Sequence, residues 1–417
     1  MAETLKISST RVRTLIWLFF IGGSGTVPFA SLYYKRLFAN GNGDSAIGII
    51  TLLLTLQPLF SIFSNPFAGY LADRFKIENR MLVVCALATA LGASLIGLPG
   101  LLPALYLSSY QKIILIALGI IILGLFSGPI FPIINAETFE LISRYRLPEG
   151  SYGLYRIHGS LSWIVFTSLI GISLALTDFL PLIYIFYTIS FVILALVALT
   201  GVKQKVKPVK LPLSYLKKDW RFRRFIIFNF IYSFSLYGSL FFTGYLLNDE
   251  HINFLFIGLA FAISALLEIP IMLFTPGITL KWGNRFLVLS GTLIMTLKLL
   301  CLGLAALKNW SWLIFPIMLI HGLGFSLQFM GSMNIINNLA HPSLRATYLN
   351  LYSTLGVNIP WALGVIFFGW IIGLCGSTVM MLIASAFCVL SLIYFIIFMP
   401  PSVLRHTNTD QTPAGLI

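Results

Sequence analysis

Glu137, Arg156, Glu268, Lys298 and His321 are ionisable side chains set inside stretches otherwise apolar enough to cross a bilayer. A charge at that depth costs roughly 2.5–3.5 kcal/mol on insertion scales, so such a side chain turns toward a partner or a watery cavity. Two acids, two bases and a histidine can neutralise one another around one cavity. Carboxylate and guanidinium groups there can hydrogen-bond a polar solute, and a buried acid or imidazole can take up and release a proton.

The elements that must position these residues are apolar runs. The chain has 417 residues, of which 58% are hydrophobic and 10% charged, and its mean hydropathy is +0.93. Soluble domains carry about 25% charged residues, so the composition is that of an integral membrane protein. The net charge of +14 would suit nucleic acid, but no basic stripe is interleaved with stacking aromatics, and the lysines and arginines gather between the apolar runs. They read as topology-setting charges, with no nucleic-acid role.

Cutting the chain into runs of about 20 residues predicts twelve spans, near 12–34, 46–71, 80–101, 112–142, 151–176, 180–200, 222–247, 253–280, 285–307, 310–338, 345–373 and 376–399. Both termini then share one side. Some 21 lysines and arginines fall on that side, against Lys35, Arg36, Lys112 and Lys308 on the other. The bias predicts cytoplasmic termini in an inner (plasma) membrane. The expected organisation is an N-terminal six-helix bundle over 1–200, a basic linker over 201–221, a C-terminal bundle over 222–399 and a tail over 400–417. The first span, with its basic start, is read as an uncleaved helix rather than a signal peptide. Cys85, Cys301, Cys375 and Cys388 lie within spans and lack metal-ligand spacing, so they read as small core residues with no metal site. No phosphate-binding glycine loop is present, so no enzyme or ATP-driven reading survives and no cofactor is called for.

The two groups of six look like repeats. Asn65-Pro66 ends the second span and Arg80 opens the third; Thr275-Pro276 ends the eighth and Arg285 opens the ninth, about 205–210 residues later. Pseudo-symmetric halves around a central site are a common construction for alternating access.

The loop Gly69-Tyr-Leu-Ala-Asp73-Arg74-Phe-Lys76-Ile-Glu-Asn-Arg80 resembles the loop signature of the major facilitator superfamily. The resemblance implies the all-α fold of twelve transmembrane helices in two pseudo-symmetric bundles. It also implies a cytoplasmic gate loop in which Gly69 lets helices approach while Asp73, Arg74 and Arg80 make charge-assisted contacts. Lys76 stands where the family usually has glycine.

Ala136-Glu137-Thr-Phe139-Glu140 and Tyr152-Gly153-Leu-Tyr-Arg156-Ile-His158-Gly159-Ser160-Leu-Ser-Trp163 resemble the lactose, phenylpropionate and nucleoside permease group. The resemblance implies that Glu137 and Arg156 bind sugar hydroxyls and that Trp163 stacks on the sugar ring. Glu137 and Arg156 also lie at similar depth on antiparallel helices, which predicts that they pair; a binding pair and a structural ion pair both remain open. Glu268-Ile-Pro, Lys298 and His321-Gly322-Leu-Gly324 resemble the second-half segments of the same group. Depth predicts that Glu268 and Lys298 meet near the midplane. Where the sugar permeases carry their coupling proton on a glutamate one turn after the histidine, this chain has Gly324. The expectation therefore shifts proton coupling to Glu268, with His321 beside it, and gives substrate contacts to Glu137, Arg156, Trp163, Lys298 and His321.

These residues predict a monomeric, proton-coupled secondary transporter that works by alternating access on a small polar solute such as a sugar. Its partners are then the solute, the proton and the lipid bilayer. An aromatic carboxylate or a nucleoside is the alternative solute, and a non-transporting membrane sensor is the contrasting class.

Overall fold

The computed structural model describes residues 2–38, 43–75, 78–102, 106–147, 151–200, 219–249, 251–340 and 345–401. The expected linker up to residue 218 and the tail from residue 402 lie outside them. Every regular element among the described residues is helical. The first part of the chain forms α1 (Ala2–Phe38), α2 (Gly43–Phe75), α3 (Glu78–Leu101), α4 (Ser109–Ser127), α5 (Ile130–Arg144), α6 (Tyr152–Thr177) and α7 (Leu182–Leu199). The second part forms α8 (Trp220–Asp249), α9 (Phe254–Ser264), α10 (Glu268–Leu307), α11 (Ile314–Leu339), α12 (Arg345–Leu351), a π-turn (Tyr352–Asn358) and α13 (Ile359–Phe398).

The helix starts have visible causes. Ser108 and Gln111 form a reciprocal capping box at α4, Asn253 accepts from the Phe256 amide at 3.0 Å, and Asp219 accepts from the amides of Arg221 and Phe222 at 3.1 and 3.0 Å. Each satisfies amide donors that a helix N-terminus leaves free.

Among the described residues, ten helical stretches are long and apolar enough to cross a bilayer, with hydropathies from 1.6 to 2.6. Two differ from the expected separate spans, because Phe254–Leu307 runs 54 residues and Tyr348–Phe398 runs 51. At about 1.5 Å per residue either would reach over 75 Å if straight, against a hydrocarbon core of about 30 Å. Neither is straight. Gly283 (φ 77°, ψ 165°) and Gly376 (φ 84°, ψ 169°) break the helical path with conformations that suit only glycine. A further turn over Ala265–Leu267 separates α9 from α10, which places Glu268 on the first turn of α10.

The two parts of the chain pack chiefly through α1 on α8, α2 on α13, and α6 on both α9 and α10. Small residues set these crossings. A Cβ on Gly171 of α6 would lie 2.9 Å from the Gly258 Cα of α9, and one on Gly153 would lie 2.7 Å from the Met272 carbonyl of α10. Close backbone approach of this kind is how helices associate where lipid removes the hydrophobic driving force. Cys85 and Cys388 are buried as expected, whereas Cys301 and Cys375 are exposed on the helix surface.

Candidate solute site between α6 and α10

Arg156 and Glu268 form the centre of the site. Arg156 lies on the second turn of α6 and is 3% exposed, while Glu268 opens α10 and is 7% exposed. Arg156 Nη2 is 4.0 Å from Glu268 Oε2. Ser160, one turn beyond Arg156, ties them together. Its hydroxyl donates to Glu268 Oε2 at 2.5 Å and accepts from Arg156 Nη1 at 3.4 Å. The start of α10 adds a favourable dipole for the carboxylate. The guanidinium is also faced by two rings, Phe20 of α1 at 4.2 Å and Phe329 of α11 at 5.5 Å, which steady a desolvated cation. Phe329 ends a stacked ladder along α11 that runs through Phe325 to His321. Tyr237 of α8 lies within electrostatic range of both Arg156 and Glu268. The arrangement offers a fixed donor, a fixed acceptor and a hydroxyl, all buried, which is what a polar solute needs for orientation.

The expected Glu137–Arg156 pair does not form. Glu137 is bound by Arg11 of α1, which also donates to Asn79 Oδ1 at 2.9 Å and to the Ala198 carbonyl at 3.4 Å. Helix α5 packs on α1 and α3, so Glu137 is held within the first part of the chain while Arg156 meets Glu268 of α10. Glu268 likewise meets Arg156 rather than Lys298. Lys298, 2% exposed, lies past the Gly283 break, within electrostatic range of Cys388 and His321. His321 is half-buried, and its Nδ1 has no hydrogen-bond partner among the described residues. Trp163 shares the α6 face with Arg156 but is engaged at a helix junction. Its indole donates to the Phe261 carbonyl of α9 at 3.1 Å, and a Cβ on Gly23 of α1 would lie 3.1 Å from its ring.

At the expected gate loop, α2 continues to Phe75 and Arg80 is exposed on α3; the side chains of Gly69, Asp73 and Arg74 lie outside the described residues. Gly324 has a packing reason. A Cβ there would meet Ile294 and Met295 of α10 at 2.9 and 3.0 Å, so the space that a carboxylate would need is filled. Sequence reasoning missed Ser160, Arg11, Phe20 and Phe329. Ser160 carried a usable signal, since it lies four residues after Arg156 and therefore on the same helix face. Arg11 carried none, because a basic residue before a first span reads as topology.

The family model described as MFS_1 like family matches residues 10–383. The uncharacterized transporter YwbF of Bacillus subtilis is 24% identical over 346 residues, 81% of this chain and 80% of that protein. A maltose permease of Geobacillus stearothermophilus is 23% identical over 347 residues, 82% of each chain. Among solved structures, a D-xylose-proton symporter superposes with a TM-score of 0.74 at 13% identity, covering 96% of this chain and 99% of that one. A point mutant of the nucleoside transporter NupG superposes with a TM-score of 0.71 at 16% identity, covering 93% and 98%. These relatives are transporters and permeases rather than enzymes.

Proposed function

The chain belongs to the MFS_1-like family of membrane transporters, and from that premise we propose proton-coupled uptake of a small polar solute, a sugar first, by alternating access. The observation that carries this reading is the Arg156–Ser160–Glu268 cluster. It is buried, it joins α6 to α10, and it sits where α9 breaks from α10. Broken helices at mid-depth are where such transporters gather polar groups. Arg156, Trp163, Lys298 and His321 contact solute, and Glu268 takes the proton. Displacement of Arg156 from Glu268 by solute would favour protonation of the freed carboxylate, which is the link that symport requires. Glu137, tied to Arg11, anchors α1 to α5 in this reading. The sugar and nucleoside names among the relatives support a hydroxylated solute.

The two double-length stretches, each broken at one glycine, fit twelve crossings in two six-helix bundles. The contacts of α2 with α13 and of α6 with α9 and α10 fit a pseudo-twofold arrangement of those bundles. The distribution of basic residues supports cytoplasmic termini in an inner (plasma) membrane, with Gly69, Asp73, Arg74 and Arg80 as a gate loop on that side; in this reading the chain acts as a monomer.

Purified protein in proteoliposomes tests this with labelled maltose, xylose and uridine. The expected result is counterflow of at least one, and accumulation when a pH gradient is imposed. Glu268→Gln should keep counterflow and lose accumulation. Accumulation by Glu268→Gln against a solute gradient would move the proton elsewhere.

A further inference from the structure

Lys298 is the interior charge that the pairing above leaves over. Among the described residues the ion pairs are Arg11–Glu137, Lys35–Asp249, Arg36–Asp178 and Arg156–Glu268. No carboxylate among the described residues lies within 4 Å of the Lys298 ammonium, although the side chain is only 2% exposed. Its neighbours bring no negative charge. Cys388 Sγ is 3.2 Å from Ser235 Oγ, and that hydroxyl is turned to the Ala384 carbonyl at 2.6 Å. Tyr232, 2% exposed, has a hydroxyl with no hydrogen-bond partner among the described residues, and so has His321 Nδ1. Tyr232 lies within electrostatic range of Cys388 and Tyr237, and Tyr237 within that of Arg156 and Glu268. Electrostatic neighbours thus lead from the Arg156–Glu268 cluster through Tyr237, Tyr232 and Cys388 to Lys298. One end is charge-balanced and the other carries an unanswered cation beside free hydrogen-bonding groups.

A buried cation is held when an anion completes it. We infer that the solute brings that anion: a hydroxylated molecule carrying one carboxylate, with its hydroxyls at Arg156, Ser160 and Glu268 and its carboxylate at Lys298, helped by Tyr232 and His321. A single negative charge matches a single lysine, whereas a phosphate with nearly two charges would leave the interior negative. This refines the transporter reading and rests on it.

The test compares matched solutes on the purified full chain in detergent by equilibrium binding of labelled D-glucuronate, D-glucose and benzoate. Glucuronate should bind at least about tenfold tighter than glucose, as expected for a charge-assisted contact, and tighter than benzoate. Lys298→Gln, or Lys298→Met if the first does not fold, should remove the difference, and Lys298→Arg should retain most of it. Equal binding of glucuronate and glucose, or a preference that survives in Lys298→Gln, overturns the proposal. Benzoate binding as tightly as glucuronate overturns its hydroxylated part. Counterflow of glucose, maltose, xylose or uridine without glucuronate exchange would sink this inference while leaving the transporter reading intact. Exchange of none of the five would sink the transporter reading itself.

Discussion

Arg11 and Arg156 are two buried arginines with opposite consequences. Arg156 reaches across to the second part of the chain, whereas Arg11 closes the first part on itself by joining α1, α3, α5 and α7 through Glu137, Asn79 and the Ala198 carbonyl. The Glu137–Arg11 and Arg156–Glu268 pairs therefore separate by experiment. Glu137→Gln removes a partner from a mostly buried guanidinium, with side-chain exposures of 8% for Arg11 and 19% for Glu137. Breaking a fully buried pair costs about 3–5 kcal/mol, so this more accessible one should cost about 1–3 kcal/mol. A thermal melt in detergent should show the loss, with solute affinity within about threefold of the parent. Arg156→Lys should do the reverse. Its melting temperature should change little while solute binding falls at least about tenfold, because an ammonium cannot reproduce the planar fork held between Phe20 and Phe329. The sequence revealed both residues and their depth, since the rise per residue converts position into height. It could not reveal which way each helix face turns, and that angle decides Glu137–Arg11 against Glu137–Arg156.

Helix breaks at the element scale show the same division. The alternation of apolar runs and basic turns located the long apolar helical stretches to within a few residues, and Gly283 and Gly376 fall where two adjacent runs were separated. Other elements were misjudged. Pro66 and Pro276 were read as span ends, yet both lie inside continuing helices, α2 to Phe75 and α10 beyond residue 276. The turn over Ala265–Leu267 that presents Glu268 has no glycine or proline within it; its local signal is Pro270, which cannot donate to the Leu266 carbonyl and whose ring crowds it. The conformational demand is testable with two glycines of α10 only six residues apart. Gly277 is helical, and a Cβ placed on it would have nothing within 4 Å, so Gly277→Ala should be neutral or stabilise by up to about 1 kcal/mol. Gly283 also has open space, but its φ of 77° is strained for any other residue. Gly283→Ala should therefore cost about 1–3 kcal/mol. Equal melting temperatures for the two variants would mean that the break is not maintained in the folded protein.

Across the whole molecule, polar contacts tie the two parts of the chain together at both ends. Lys35, near the end of α1, meets Asp249 at the end of α8 at 3.3 Å and lies 4.3 Å from the Tyr245 ring centroid. Ser377 of α13 donates to the same Asp249 at 3.1 Å. At the other end, Asn65 of α2 donates to Ser353 in the π-turn at 3.2 Å. Asn65 lies 22 residues along α2 from Gly43, a rise of about 33 Å, so the two ties stand a membrane thickness apart. The Arg156–Glu268 pair is itself buried. A transporter that exposes its site alternately must release one tie while keeping the other. Cysteine pairs replacing Lys35 and Asp249, or Asn65 and Ser353, in a background with Cys85, Cys301, Cys375 and Cys388 substituted, test this with a short bifunctional thiol reagent. Cross-linking either pair should abolish counterflow of a transported solute, and a cleavable reagent should restore it on reduction. The uncross-linked double variants should remain active, since one loses a partly exposed ion pair and the other a single neutral hydrogen bond, each of modest strength. Counterflow that persists with both ends cross-linked would mean that solute crosses without relative movement of the two parts, and alternating access would fail.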